Sequence, residues 1–484
     1  MVNYMINKDL KTNINYIKKE LINAKDIIYK NYSIKNHKIC IVYCESICDT
    51  SSINDFLLKN IFTLINKKEK IKNIKETLYE TSLGNIKDVK NYKDLFNHIY
   101  NGFCIILIDK YSTSLAIEVR KNIYRAITEP MTEQTISGPK ESFNESFTTN
   151  IGLIRKRIKT KDLNIKELFV GKNTKNKVDI LYIRNIADKK QVNRIAAKIK
   201  RINIDGILDS TYIKEILASK TSSFPTIEVT ERPDKASMAL LEGRILIVVE
   251  NSPYAIIIPT FFVDLFHSPE DNYQISINVT FTRIIRFLSF ILAILLPAFY
   301  IAITTYNHET IPTSLLLNFV SQRMSVPFPA IVEAIGMILI FEVLRESDVR
   351  LPKFSGSAIS ILGAIVLGDA AVKAGIVSPI MLIIIATSAV CSLTFSNIAM
   401  INAIRLWRII FMILATCFGI PGIFMAVFIL LITIIDLDSF SYPYLYPIAP
   451  LNITFLTRFL FKLNIKKDNK RPKIITNNNT RSKL

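Results

Sequence analysis

Histidine is scarce in this chain, with four in 484 residues, and none of the six cysteines stands in a CxxC pair. Both shortages argue against a zinc site, which needs tighter pairs and more histidine. Cys40, Cys44 and Cys48 recur every four residues with His37 just ahead; Cys104, Cys391 and Cys417 stand alone. Reduced, partly buried thiols are expected, in a soluble part facing a reducing cytoplasm. There is no Gly-rich phosphate loop, Walker lysine motif, HExxH or GxSxG elbow. With no nucleophile–base or metal constellation, an enzyme is the least expected class, and no cofactor or metal is expected. The opening MVNYMINKDLKTNINYIKK lacks an apolar core, so a secretory leader is not expected there.

Charge is missing only locally. The chain carries 61 Lys and Arg against 41 Asp and Glu, a formal +20. Such a balance admits nucleic acid, an anionic membrane surface or compositional drift, and the joint abundance of Lys, Asn and Ile makes nucleic acid the least expected partner. Yet residues 287–307, 374–404 and 409–435 hold no formal charge. About 20 apolar residues span a bilayer as helix. Two less clean candidates lie between: 326–344, with Glu333 and Glu342, and 354–372, with Asp369. Membrane lipid is therefore an expected contact.

Up to about Arg286 the pattern is that of a soluble protein. Residues 1–38 read as one amphipathic helix and a loop, 38–44 and 102–109 as buried strands, and 51–65 as a helix. A second α/β pattern places a strand at 178–184, helices in 187–202 and 204–217, and strand, helix, strand, turn, strand over 225–259. Between them, Gly138 is expected to cap a helix with Pro139 at its first position and Glu141 in its first turn. Phe143, Phe147, Ile151, Ile154 and Ile158 form one apolar stripe, and Arg155, Lys156, Arg157 and Lys159 fall at the end the dipole favours. That helix either packs on its own domain or docks on a partner or the membrane surface. The expected fold class is a cytoplasmic N-terminal region of two small α/β subdomains, 1–125 and 126–283. An all-α polytopic membrane domain, 284–461, and a basic cytoplasmic tail, 462–484, follow.

Flanking positive charge sets orientation. Arg283 and Arg286 place the N-terminal region inside; Arg345, Arg350 and Lys353 mark the next inner loop, and Arg405 and Arg408 the one after, with Asp436 and Asp438 outside. Five candidate crossings do not bring both ends inside. Either one segment is re-entrant, or 444–461 crosses back, or Pro421-Gly422 breaks the last run into a hairpin. Carboxylates at membrane depth must face protein or water. Asp369 can pair with Lys373, Glu342 with Arg345 and Glu346 with Arg350. Glu333 has no neutralising neighbour on its own helix, so its partner must come from elsewhere. These groups are either satisfied ion pairs or an ion path. Gly356, Gly363 and Gly368 among many alanines suit close helix packing in a multi-helix assembly or oligomer.

Several motifs then occur together: SGPKESFNES, TTNIGLIRKRI, SSFPTIEVTERPDK, LPAFYIAITTY, PFPAIVEA, EVLRESDVRLPK, GDAAVKAGIVSP and SFSYPYLYPIAP. Over residues 125–450 they closely resemble the A subunit of bacterial spore germinant receptors. Ser137 stands where that family usually has arginine, Lys140 at the following basic position, and Ser142 where it usually has glycine. The resemblance implies a multi-pass protein of the spore inner membrane with a cytoplasmic N-terminal region. It implies transporter-like B-type and lipoprotein C-type partners, and homo-oligomers around a cation-conducting path. It also implies a small nutrient germinant bound mainly by a partner. Candidate ion-path or gating residues are Glu333, Glu342, Asp369 and Lys373; candidate subunit-coupling residues are Gly138, Pro139, Glu141, Phe147, Arg155 and Arg157. The alternatives are a non-conducting scaffold subunit and a solute transporter, the latter disfavoured because no repeat between halves is evident.

Overall fold

Short apolar runs of the N-terminal half pair side by side into two five-stranded sheets. The structure, a computed structural model, describes residues 5–21, 23–34, 37–54, 85–121, 129–218, 222–350, 367–463, 470–476 and 480. It divides into two units. One comprises Met1–Ser219, Ile227–Pro259 and Ile465–Leu484; the other Lys220–Thr226 and Thr260–Asn464.

In the first unit, helix α1 (Leu10–Glu20) is capped by the Asp9 carboxylate and followed by β1 (Ile27–Ile34) and β2 (His37–Cys44). Then come β3 (Ile86–Val89), α2 (Tyr92–Ile99), β4 (Phe103–Ile108) and β5 (Ser114–Glu118). Their sheet is antiparallel throughout, in the order β1-β2-β4-β5-β3. The chain then repeats itself: α3 (Phe147–Arg157), β6 (Leu163–Val170), β7 (Asn176–Ile183), α4 (Lys189–Lys200), α5 (Ser210–Leu217), β8 (Glu228–Thr230), α6 (Pro233–Glu242), β9 (Ile245–Val249) and β10 (Ala255–Ile258). The second sheet has the order β6-β7-β9-β10-β8, the same arrangement.

The register repeats too. Val42 faces Ile105 as Leu181 faces Leu246, Cys104 faces Ile117 as Ile245 faces Ile258, and Val89 faces Ser114 as Thr230 faces Ala255. After the second strand of each sheet an aspartate, Asp49 or Asp188, caps the next helix. The turn between the last two strands holds a non-glycine residue at positive φ in both copies, Lys110 (69°) and Asn251 (61°). A slip of one residue would turn every core side chain outward, so a shared register means a shared inner face. One apolar cluster joins the sheets: Cys40, Val42, Ile105 and Leu107 from the first, Leu181, Ile183, Leu246 and Val248 from the second, with Ile151, Leu153 and Ile154 of α3 between.

The sequence placed β2, β4 and β7 within a residue or two. It read β1 as loop and left β6 out, because IIYKNYSI and LNIKELFV intersperse charge and amide among the apolar residues. Of the helix expected over 51–65, only residues 51–54 are described, continuing a helical turn that begins at Thr50; residues 55–65 lie outside the described set.

The second unit contains α7 (Ser276–Thr305), α8 (Thr313–Arg323), α9 (Ala330–Arg350), α10 (Pro379–Ser392), α11 (Ile398–Phe418), α12 (Ile420–Ile435) and α13 (Ile453–Leu460). Among the described residues, α7 and α11 are long and apolar enough to cross a membrane; α10 and α12 are shorter apolar helices. Two expectations are corrected here. The uncharged run 374–404 is no single helix, since α10 ends at Ser392 and Asn397 caps α11. Arg405 and Arg408 therefore sit inside α11 rather than in a loop. The run 409–435 breaks at Gly419 (φ +65°), where an added Cβ would lie 3.1 Å from Tyr306 Cβ and from Asn307 Oδ1, and α12 turns back. The hairpin expected at Pro421-Gly422 is seen, with its break at Gly419 and Pro421 in the first turn of α12.

The return of α12 leaves Leu437 bonded to Tyr444, Tyr444 to Phe262, and Ser439 to Thr260. Phe266 in turn accepts a hydrogen bond from Arg286. Asp436 and Asp438 thus lie at the Arg283–Arg286 end of this unit, not the opposite end. The eight-residue α13 spans roughly 12 Å and is too short to cross. The candidate over 354–372 falls largely outside the described residues.

Candidate functional site

The segment 129–158 is built by its neighbours rather than by local helix signals. Arg232, fully buried, precedes α6 and pairs with Asp234. Its guanidinium donates to the carbonyls of Glu133 (3.1 Å) and Pro139 (2.8 Å) and to Thr135 Oγ1 (2.9 Å). The Glu231 carboxylate accepts from the backbone N–H groups of Thr132 and Glu133, while Phe143 N–H donates to Glu231 O. The backbone around Gly138 (φ +119°) and Pro139 is held open by these bonds. Asn144 and Asn150 exchange two more, Asn144 N–H to Asn150 Oδ1 and Asn150 Nδ2 to Asn144 O. The helix consequently starts at Phe147, not at Pro139, which corrects the expected boundary. Glu141 does not lie in its first turn. It bonds Lys156 (2.7 Å) and Arg157 in the last turn. Burial alone would raise the Glu141 pKa; these two cations outweigh it and hold the carboxyl below its ordinary range.

Phe143, Phe147, Ile151, Ile154 and Ile158 are all buried, so of the two readings the stripe packs on its own domain, with Phe143 ahead of the helix itself. Arg155 is buried with them. Its Nε and Nη2 grip the two Asp26 oxygens at 2.7 and 2.8 Å, Nη1 reaches Thr160 O, and the guanidinium lies over the Tyr100 ring. Cys44 Sγ and Ser46 Oγ also donate to Asp26. The bidentate pair joins the first subdomain to the second inside one chain, so Arg155 is not free for a surface contact. Burial would raise the Asp26 carboxyl, yet the guanidinium wins and keeps it lowered. Close by, burial pushes Asp179 up to about 7, opposed by Lys177 and reinforced by Glu167 and Asp26. Its Oδ1, with Tyr29 Oη and Tyr100 Oη, has no hydrogen-bond partner among the described residues.

In the helical unit the four expected ion-path residues do not converge. Glu333 is wholly buried. Its Oε2 accepts from Ser378 N–H (2.9 Å) at the N-terminus of α10, where the helix dipole favours an anion, and Arg323 approaches Oε1 only to 3.7 Å. Oε1 has no hydrogen bond among the described residues. The partner does come from other helices. Glu342, roughly two and a half turns along α9, pairs with Arg405 of α11 at 2.5 Å rather than with Arg345. Asp369 and Lys373 pair at 2.7 Å, both exposed. The Arg350 side chain, and with it the expected Glu346 pair, lies outside the described set.

Three groups were missed by sequence. Arg408, 4% exposed in the apolar α11, donates Nε to Ala293 O (3.0 Å) and Nη2 to Ser388 O (3.3 Å). Ala293 is four residues before Pro297, which has no N–H for it; Arg408 and Ser388 Oγ (2.7 Å) supply the missing donors. The pairing needs Pro297 and Arg408, far apart in sequence, to be read together. Asp271 binds both Arg283 (3.0 Å) and Arg286 (2.9 Å), fixing the start of α7. Asp26 carried no signal in its own surroundings.

A model of the Bacillus/Clostridium GerA spore germination protein family matches residues 15–474. The chain is 37% identical to spore germination protein KA of Bacillus subtilis (strain 168), covering 98% of this chain and 88% of that one. It is 31% identical to spore germination protein XA of Bacillus anthracis, covering 94% and 95%. The crystal structure of the N-terminal domain of the A subunit of the Bacillus megaterium spore germinant receptor GerK3 covers 54% of this chain and 99% of its own, at 30% identity and a TM-score of 0.43.

Proposed function

This chain belongs to the Bacillus/Clostridium GerA spore germination protein family, and on that premise we propose that it is an integral membrane subunit of a nutrient-sensing germination receptor that forms or gates an oligomeric ion-release path. In this reading the helical unit crosses the spore inner membrane more than once and the two-sheet unit is cytoplasmic. B-type transporter-like and C-type lipoprotein subunits complete the receptor, and the nutrient binds mainly to a partner. Gly138, Pro139, Glu141, Phe147 and Arg157 then belong to a connector beneath the membrane that carries contacts to neighbouring subunits.

The observation that carries the reading is Glu333: a buried carboxylate in an apolar helical unit, with one oxygen hydrogen-bonded and the other not. A buried carboxyl left partly unsatisfied is costly, and an ionisable residue at membrane depth points to function. Glu333→Gln keeps the shape and removes the ionisable group. Spores carrying it are expected to keep a normal level of receptor complex and to release monovalent cations at a changed rate. Unchanged release with a normal complex level contradicts a pore role. A scaffold subunit is the second reading, favoured by Glu342 and Asp369, both of which find cations within the chain.

A further inference from the structure

We propose that the cavity lined by α9 and α11 binds the anionic headgroup of a membrane lipid. The proposal rests on the reading that this unit lies in a bilayer. The cavity has a volume of about 360 Å³, within the range of small-molecule sites, and takes its polar wall from Glu342, Asn402, Arg405 and Arg408.

Arg405 and Arg408 are three residues apart on α11 and both line the cavity, Arg405 turned toward Glu342 of α9 and Arg408 toward carbonyls of α7 and α10. Against the single carboxylate of Glu342 they leave one positive charge without an anion, which fits a monoanion. Arg408 is held still by the Ala293 and Ser388 carbonyls, and its Nη1 has no hydrogen-bond partner among the described residues. Arg405 is about one-third exposed and already engaged by Glu342 and by Asn402 Oδ1 (2.9 Å), so its fork is pre-aimed rather than floppy. A preorganised guanidinium pair suits phosphate oxygens better than ammonium groups would.

The rest of the lining says what is attached to the anion. Leu339 and Leu406 border the cavity and are 60% and 48% exposed, continuous with exposed Val343 and Ile413 on the same helices. A free phosphate gains nothing from that rim, whereas an acyl chain covers it. Arg408 meets α7 at Ala293, roughly 9 Å along the helix from Phe287 at 1.5 Å per residue. Basic pockets between spanning helices on the cytoplasmic side suit anionic lipid heads.

The test is native mass spectrometry of the detergent-solubilised full-length chain supplied with equal phosphatidylglycerol and phosphatidylcholine. The wild-type chain is expected to retain phosphatidylglycerol preferentially. Arg405→Gln should reduce that preference about tenfold, the scale of one charge-assisted hydrogen-bonding group. Glu342→Gln should increase it, because the uncompensated charge doubles. Neither variant removes the bonds that fill the Pro297 gap, so the result does not depend on Arg408→Gln folding. Equal retention of the two lipids, or a preference untouched by both substitutions, overturns the proposal. So does competition by millimolar inorganic phosphate that displaces the lipid completely, since the site is then one for a free anion. Failure of the chain to enter detergent micelles at all sinks the membrane reading instead, and is scored separately from the same preparation.

Discussion

The two sheets of the first unit share strand order and register, yet differ in what they place on equivalent strands. Cys40 of β2 faces Leu107, and its counterpart in β7, Asp179, faces Val248. Cys104 has Ile245 in its place, by the same pairing rule. Burial raises the Cys40 thiol to about 12, which leaves it neutral at no electrostatic cost. The same position filled by a carboxyl is held near neutrality only by a pKa of about 7. Asp26, by contrast, keeps its charge because a guanidinium from the second subdomain meets both oxygens. The apolar core therefore fixes the register, while each buried polar group is stable only with its own partner or its own proton.

Breaking the pair is the strongest way to separate the two copies. Arg155→Ala leaves Asp26 buried and alone, and a loss of about 3–5 kcal/mol is expected. Hydrogen exchange of α3 and β6 amides reads it as lost protection. Replacing both partners with apolar residues of similar volume should recover most of the loss; a double variant no better than the single one would show that the pair is not the joint.

Titration comes next. The folded-state pKa of Asp179 lies above its ordinary 3.8, so the folded chain holds a proton that the unfolded chain releases. Stability from this group is complete below about pH 4 and is lost as pH rises through about 7. Asp179→Asn should flatten that dependence and raise stability at pH 8, by ~4 kcal/mol as an upper scale. A flat wild-type profile between pH 5 and 8 contradicts the assignment. The smallest effect is expected in the helical unit. Exposed Lys373 paired with exposed Asp369 contributes little, so Lys373→Gln should leave the melting temperature unchanged within error.

The difference between copies also explains what could be read in advance. FCIILI and ILIVV are continuous apolar runs, buried at every position, and their strands were plain. Edge strand β1 alternates Lys, Asn and Ser with apolar residues, and its eight pairs with β2 decide its form. The repeat itself was hidden, because few identities survive at equivalent positions, among them Asp49 with Asp188 and Gly102 with Gly243. Gly138-Pro139 looked like a helix start until Arg232, from distant sequence, claimed the Pro139 carbonyl. Glu333 was legible as a carboxylate lacking a partner on its own helix; Arg323 and Ser378 were not, since only the helix packing brings them near.

The most direct measurement is cation flux through vesicles containing the reconstituted receptor, with this chain wild type or Glu333→Gln. A nutrient-dependent flux that changes with the substitution, while the chain stays in the vesicle fraction, is predicted. Identical flux from both, with equal amounts of assembled receptor, would contradict a role for this subunit in the ion path.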